Sequence, residues 1–419
     1  MNNSLCLTVI TLLLAATSLS AATHYVSLGS TNPAPPYTNW ITAATNIQNA
    51  VEVAEAGDEI VVTNGTYASG GRVVYGATNR VAVIKRLTVQ SVNGSQTTVI
   101  DGGSAVRCAY LTNGATLVGF TLANGWAFYS NNYGGGVYCE STNAVLSKCV
   151  LSANSAAYGA GSYGGTLNNC MVSGNTGSGA YGGSLNNCTV TGNSGWGATS
   201  AKLNNCAVFA NRGGGANGGT LNNCTVTGNS GWGAYSATLT NCIVYFNSDP
   251  HGGPYGGNYY SSSTLNYCCT TPLPGSGLGN ITAEPQLADP AHLSAGSPCR
   301  GAGSPAYASG SDIDGQPWLN PPSIGCDEFY AGAINGPLTV AIWAAYTNVA
   351  TGFAVSFTAQ ILGHASASSW DFGDGTVVSN RPYASAAWRT PGDYLVVLRA
   401  FNDSYPEGVT ATTAIHVSM

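Results

Sequence analysis

The segment LNNCTVTGNSGWGA occurs twice without a change, at residues 185–198 and 221–234. Looser copies surround the pair and are marked by cysteine. Cys170, Cys188, Cys206, Cys224 and Cys242 each follow the last by 18 positions, after one step of 21 from Cys149, and Cys268 ends the series beyond an insertion. A fixed period of this length means one small unit stacked on itself, because so short a unit cannot bury a face alone. Within the unit Leu185, Cys188 and Val190 are apolar, and Thr189 and Thr191 flank Val190 as a half-buried strand requires. The spacing of three from Leu to Cys breaks that alternation and predicts a bend at Asn186-Asn187. Coils stacked about 4.8 Å apart place equivalent residues in columns. A left-handed hexapeptide solenoid needs an aliphatic residue every sixth position, but stepping by six from Leu185 meets Thr191 and Gly197. The expected fold is therefore all-β: a right-handed parallel β-helix.

The cysteine column reads first as core, since a free thiol packs as a small hydrophobe. None of the five histidines falls within the repeats, so the column offers no mixed metal-ligand set, and no metal or other cofactor is expected. Asn193 and Asn229 are expected to form an amide ladder along a turn. Charged residues make up only 7% of the 419, the net charge is −6 and no basic stripe occurs, which excludes nucleic acid and anionic membrane as expected partners. Residues 1–22 read as a secretory signal: an apolar run from Leu5 to Ala16, then Ser20-Ala21-Ala22 before Thr23. A membrane anchor is the alternative reading of that run; no later stretch is long and apolar enough to span. Export to the extracellular space or cell surface follows.

Toward the N-terminus, Ile47, Ala50, Val51 and Ala54 have helical spacing and Gly57 supplies a stop. A helix there would cover the open first coil. The pattern I-Q-x-A-V at 47–51, A-G-D-x-I-x-V at 56–62 and N-G-x-Y at 64–67 resembles the N-terminal cap of the bacterial pectin-lyase-like β-helix superfamily. Residues 294–303 (SAGSPCRGAG), 312–317 (DIDGQP) and 324–329 (IGCDEF) resemble the closing segment of secreted β-helix proteins with varied C-terminal anchors. Cys299 and Cys326 lie there, outside the column, and are the disulfide candidates. Asp312 and Asp314 read as turn residues, since two carboxylates fall short of a Ca²⁺ site. Finally, Val355 and Phe357, WDFGDG at 370–375 and GDYLVVL at 392–398 resemble a PKD domain, an Ig-like β-sandwich. Trp370 and Phe372 should point inward, with Asp371 and Asp374 shaping the turn. The expected organisation is a signal at 1–22, a β-helix at 23–335 with repeats clearest at 149–248 and a closing segment at 285–330, and a PKD domain at 336–419.

The superfamily resemblance implies polysaccharide lyases and glycosidases among the relatives. Glycoside hydrolysis needs two carboxyl groups some 5–10 Å apart, yet no Asp or Glu lies between Cys149 and Ser248. Lys202 and Arg212 are the only charges of that stretch, so no catalytic residue is assigned. Aromatic residues offer a different chemistry. Trp196 and Trp232 hold one position two coils apart, about 9.6 Å in a regular stack. Tyr163, Tyr181 and Tyr235 share another column, interrupted by Thr199 and Asn217, while one insertion adds Trp126, Phe128, Tyr129 and Tyr133 and the other Tyr255, Tyr259 and Tyr260. Two readings are open: rings that stack on neutral sugars, or rings that shield the core over glycine turns. The expectation is a non-catalytic glycan-binding or adhesive protein, with a polysaccharide or envelope glycan as partner. A lyase or glycosidase is the alternative, and a purely structural surface repeat the third reading.

Overall fold

The computed structural model describes residues 21–128, 132–248 and 257–419; residues 1–20 of the proposed signal, Tyr129, His251 and Tyr255 lie outside them. Three sheets of eleven, ten and nine strands wind together from Thr23–Val26 to Cys269–Thr270; pairing is parallel except at the edge of the third, where Arg72–Val74 runs antiparallel to Ala77–Val83, and the regular coils give one short strand to each sheet in turn. The register is column on column: in the first sheet Leu167 faces Leu185, then Leu203, Leu221 and Leu239. In the second, Val172, Val190, Val208, Val226 and Val244 stack likewise. In the third, Ala180, Ala198, Ala216 and Ala234 do so. These residues fill a continuous core with almost no exposure.

The predicted bend falls at Asn187, whose φ of 51° is left-handed, as are those of Asn169, Asn205, Asn223 and Asn241. Asparagine tolerates that region better than most side chains, which explains its place before Cys170, Cys188, Cys206, Cys224 and Cys242; Lys148 and Tyr267 take the same conformation before Cys149 and Cys268. The thiols do more than fill space. Cys188 accepts a 3.4 Å hydrogen bond from the Cys170 amide and donates to the Asn186 carbonyl at 3.2 Å, and the pattern recurs along the column. Sulfur thus satisfies backbone groups where the corner interrupts strand pairing.

At the second corner a buried amide ladder runs through Asn154, Asn175, Asn193, Asn211, Asn229 and Asn247 to Asn258. Asn193 is typical: Nδ2 donates to Asn211 Oδ1 at 2.9 Å and to the Val172 carbonyl at 3.1 Å, while its amide N donates to Asn211 Oδ1 at 3.1 Å. The open first coil is covered by the helix Ile47–Val53, capped by Asn46. Its buried Gln48 accepts from the Ala82 amide at 2.7 Å, satisfying the edge of the third sheet.

Beyond Cys269–Thr270 the chain turns back along the stack. The left-handed asparagines hold it: Asn205 donates to the Ser311 carbonyl at 2.7 Å, Asn223 to Tyr307 at 3.0 Å and Asn241 to Ser304 at 2.9 Å. Asn numbers rise as partner numbers fall, so the return runs opposite to the coils. It also buries the outward threonines of the second sheet, where Thr225 accepts from the Cys326 amide and Thr227 donates to the Pro290 carbonyl. The expected Cys299–Cys326 bridge does not form. Cys299 joins a cluster with Cys269, Leu287 and Leu293, its free thiol hydrogen-bonded to the free thiol of Cys269, whereas Cys326 packs with Ala207 and Ala291. Asp312 does shape a turn, accepting from the amides of Asp314 and Gln316.

Residues 339–418 form a three-stranded and a five-stranded sheet around Phe357, Trp370, Phe372 and Trp388. Asp371 and Asp374 accept from the amides of Gly373 and Thr376, the turn role expected of them. This sandwich docks on the return segment through an Arg381–Glu284 fork and through Ala288, Leu338, Ala365 and Ala400.

Replacing Asn211 by Ala strands the Asn193 donors and two carbonyls, and should lower unfolding free energy by about 3 kcal/mol. Asn222→Ala, on the half-exposed outer ladder, should lower it by about 0.5 kcal/mol; denaturant titration of both variants checks the difference. Burial pushes the Cys108 and Cys139 thiols up to about 12, and all twelve described cysteines are buried. Native protein should therefore react with none of a maleimide reagent at these positions and unfolded protein with all, read by mass spectrometry.

Candidate functional site

The outward column of the third sheet gathers the aromatic residues. Tyr110, Tyr138, Tyr163, Tyr181, Thr199, Asn217 and Tyr235 are successive partners in register. Because coils repeat at nearly the thickness of an aromatic stack, the rings lie face to face. Centroids are 5.9, 5.2 and 5.5 Å apart from Tyr110 to Tyr181, with interplanar angles of 4°, 13° and 10°. The column resumes past Thr199 and Asn217 with Tyr235 stacked on Tyr260 at 4.7 Å. Tyr133 and Tyr158 widen it at one end.

The other predicted residues divide. Trp196 is opposite Gly214 in register, and a Cβ on Gly214 would fall 2.4 Å from the indole ring, so the ring rests on glycine backbone. It leans toward Tyr235 at 6.2 Å, and Trp232 meets Tyr260 edge-on at 5.3 Å. Trp126 packs against Phe128 at 5.2 Å, apart from the Trp196 group. Trp126, Phe128, Trp196, Trp232 and Tyr235 are half-buried, and Tyr260 is exposed. The stack takes up most tyrosine faces, so the column presents ring edges and hydroxyls. Beside it Gly164-Gly165 and Gly182-Gly183, with Glu140 and Ser141, line a groove of about 230 Å³.

Arg107 and Glu140 anchor one end, and the 18-residue period gave no sign of either. Arg107 is buried and, among the described residues, has no carboxylate partner. It donates to the carbonyls of Gly134 and Tyr133 and to Asn79 Oδ1, each at 2.8 Å, and lies 5.2 Å from the Tyr138 ring centre. Burial lowers it to about 10, leaving it charged at neutral pH. Burial alone would raise Glu140, but hydrogen bonds from Thr112, Tyr110, Asn113 and Tyr75 hold it below the usual carboxylate range. One ionised carboxylate with hydroxyl partners does not make the acid pair that glycoside hydrolysis needs. Tyr110 and Tyr138 join the column from longer, irregular coils, which is why the period starting at Cys149 missed them.

A second constellation lies where the sandwich meets the return segment: Asp289, His292, Asp314 and His364 line a cleft of about 460 Å³, with Asp327 buried behind them. Burial disfavours the His292 imidazolium, but the Asp289 charge and its hydrogen bonds, with those of Asp314, hold His292 well above its ordinary value. Burial pushes Asp327 up to about 7. The sequence reading expected no metal ligands and took Asp314 as a turn residue; the fold instead turns Asp314 toward two histidines.

Residues 339–417 match the family model of the PKD domain. No curated protein matches the chain. Among solved structures, pectate lyase Pel9A is similar at 15% identity and a TM-score of 0.51, over 74% of this chain and 97% of that one. The enzymatically active domain of bacteriophage CBA120 tailspike protein 2 is similar at 10% identity and a TM-score of 0.31, over 95% and 76%. Likeness at the first level is one of fold. Among the described residues no helix is long and apolar enough to cross a membrane.

Arg107→Ala would strand three buried acceptors, and should destabilise the chain by about 3 kcal/mol while speeding amide exchange in residues 133–138. Hydrogen-exchange mass spectrometry reads both effects.

Proposed function

For a chain that is a pectin-lyase-like β-helix followed by a PKD domain, we propose a non-catalytic role at the cell surface or outside the cell: binding a neutral polysaccharide along the aromatic column. The observation that carries this reading is the run of tyrosines from Tyr110 to Tyr181, continued past a gap by Trp196, Tyr235 and Tyr260, beside a glycine-floored groove on a face almost without charge. Ring edges and phenol hydroxyls suit hydrogen bonding to sugar hydroxyls, and the part-covered indoles add apolar contact. Tyr163, Tyr181, Tyr235, Trp196 and Trp232 are the contacts proposed on this face. Trp126 and Tyr255 belong to the two insertions and are proposed as flanking contacts.

Pectate lyase Pel9A, which shares the fold, is named for polysaccharide chemistry, which supports a glycan ligand and leaves the alternative of a lyase or glycosidase standing beside the binding role. Against that alternative, Asp249 is the only acid between Glu140 and Glu284 in the sequence. The PKD domain would serve as spacer or second contact module. Export through residues 1–22 belongs to the same proposal.

Incubation of the mature protein with neutral and acidic polysaccharides tests it. Retention of a neutral glycan is expected with no release of unsaturated or reducing ends. Trp196→Ala combined with Trp232→Ala should weaken retention about tenfold, the loss of roughly 1–1.5 kcal/mol of aromatic contact. Unchanged retention would remove the indoles from the site. Product release lost on substituting Lys202, Arg212 or His251 would replace the binding role with catalysis.

A further inference from the structure

The return segment and the PKD domain bring together side chains that no local motif connects. His292 follows a tight turn whose Asp289 accepts from the amides of Ala291 and His292 at 2.9 and 3.0 Å. Asp314 projects from the turn that Asp312 organises, and Asp327 is buried two residues before Phe329. His364 comes from the other side, in the sandwich loop between strands Val355–Leu362 and Ala367–Asp371. That loop is held down by the Ala365 amide, which donates to Asp289 at 3.4 Å. The two imidazoles stack with centroids 4.1 Å apart.

Hydrogen bonds alone leave this cluster incomplete. Asp327 has 0% side-chain exposure, and its Oδ2 accepts from the Leu293 amide at 2.8 Å, but Oδ1 has no hydrogen-bond partner among the described residues. His364 Nε2 has none either, although it faces that oxygen at 3.8 Å, beyond hydrogen-bond reach. Two unpartnered polar atoms facing one another in a buried site need an explanation, and a shared cation is one. Asp314 Oδ2 adds a third donor, 3.2 Å from His292 Nε2; its 3.3 Å approach to His364 is to the other ring nitrogen, Nδ1, so His364 offers the metal only one of its two nitrogens. One ligand atom from each of the four residues lies within 4.8 Å of every other. Around a four-coordinate zinc with bonds of about 2.0–2.1 Å, ligand atoms are roughly 3.3 Å apart, so the widest pairs close by up to about 1.5 Å on binding.

We propose that His292, Asp314, Asp327 and His364 form a structural transition-metal site, with zinc as its natural occupant, that pins the PKD domain to the solenoid. The donor set decides the metal. Two imidazoles and two carboxylates suit Zn²⁺ and balance its charge, whereas Ca²⁺ takes six or more oxygens. Asp289 is the outer-sphere partner, because both its oxygens lie 2.8 Å from His292 Nδ1. A proton on Nδ1 leaves the Nε2 lone pair directed at the metal position, the usual role of a carboxylate behind a ligating histidine. Entry is open: Asp314 retains 32% exposure at the mouth of the cleft. The inference does not depend on what the aromatic column binds.

Cobalt substitution tests it directly. Untagged, chelator-treated full-length mature protein should bind one equivalent of Co²⁺ with visible absorption of four-coordinate strength and no near-ultraviolet thiolate band. Zn²⁺ should displace the cobalt, and excess Ca²⁺ should not. His364→Gln and the isosteric Asp327→Asn should each weaken binding at least 100-fold, and Asp289→Asn about 10–100-fold. Zinc should also slow protease cutting near residues 331–338 in the wild type and not in His364→Gln. Absence of the cobalt spectrum in the wild type, a thiolate band, or undiminished affinity in His364→Gln would each overturn the proposal. The wild-type titration stands even where a variant folds poorly.

Discussion

The solenoid depends on what happens to backbone amides at its corners. Strand pairing satisfies the flat runs, but each coil turns three times within about eighteen residues, and every turn takes N–H and C=O groups out of the ladder. One corner uses the asparagine stack, where each amide donates to its neighbour's oxygen and to a carbonyl of the preceding coil. The other uses left-handed asparagine and a thiol that accepts from the backbone. Both devices work only when the next coil presents the same residue, so the sequence repeats because its hydrogen bonds must.

That dependence explains what could be read in advance. Leu185, Cys188, Val190 and Asn193 declared a stack because each was one member of a column, and the WDFGDG turn identified the sandwich through residues that touch one another locally. The closing segment was harder, since its partners are the outward sides of residues already assigned to the repeat. Asn205 and Asn223 looked like turn residues and are also the grip on the returning chain. Cys299 and Cys326 shared a segment, yet the return path sends them to different clusters. His292, Asp314, Asp327 and His364 meet only after the sandwich has docked, so no spacing could announce them. Trp196 and Tyr163 were correctly placed in columns, but register alone did not say that tyrosine faces would be taken up by other tyrosines.

The molecule thus divides its labour by flank. The third sheet's outer face carries aromatic rings over glycine and stays nearly free of charge. The outer side of the second sheet is covered by the return segment, and the unusual titrating groups collect where that segment meets the PKD domain. Ligand contact on one side and interdomain attachment on the other can vary independently, because the shared core between them is made of identical Leu, Val and Ala columns.

The return segment, running opposite to the coils along Asn205, Asn223 and Asn241, also works as a ruler. Near-identical coils invite gain or loss of a unit when the coding sequence is copied, and an open-ended solenoid would tolerate the change. Here the chain must descend past a set number of rungs, about 4.8 Å each, and arrive with Ser304, Tyr307 and Ser311 opposite their asparagines. A coil too many or too few would put the return out of step with its rungs. The length of this repeat is therefore counted by the fold itself.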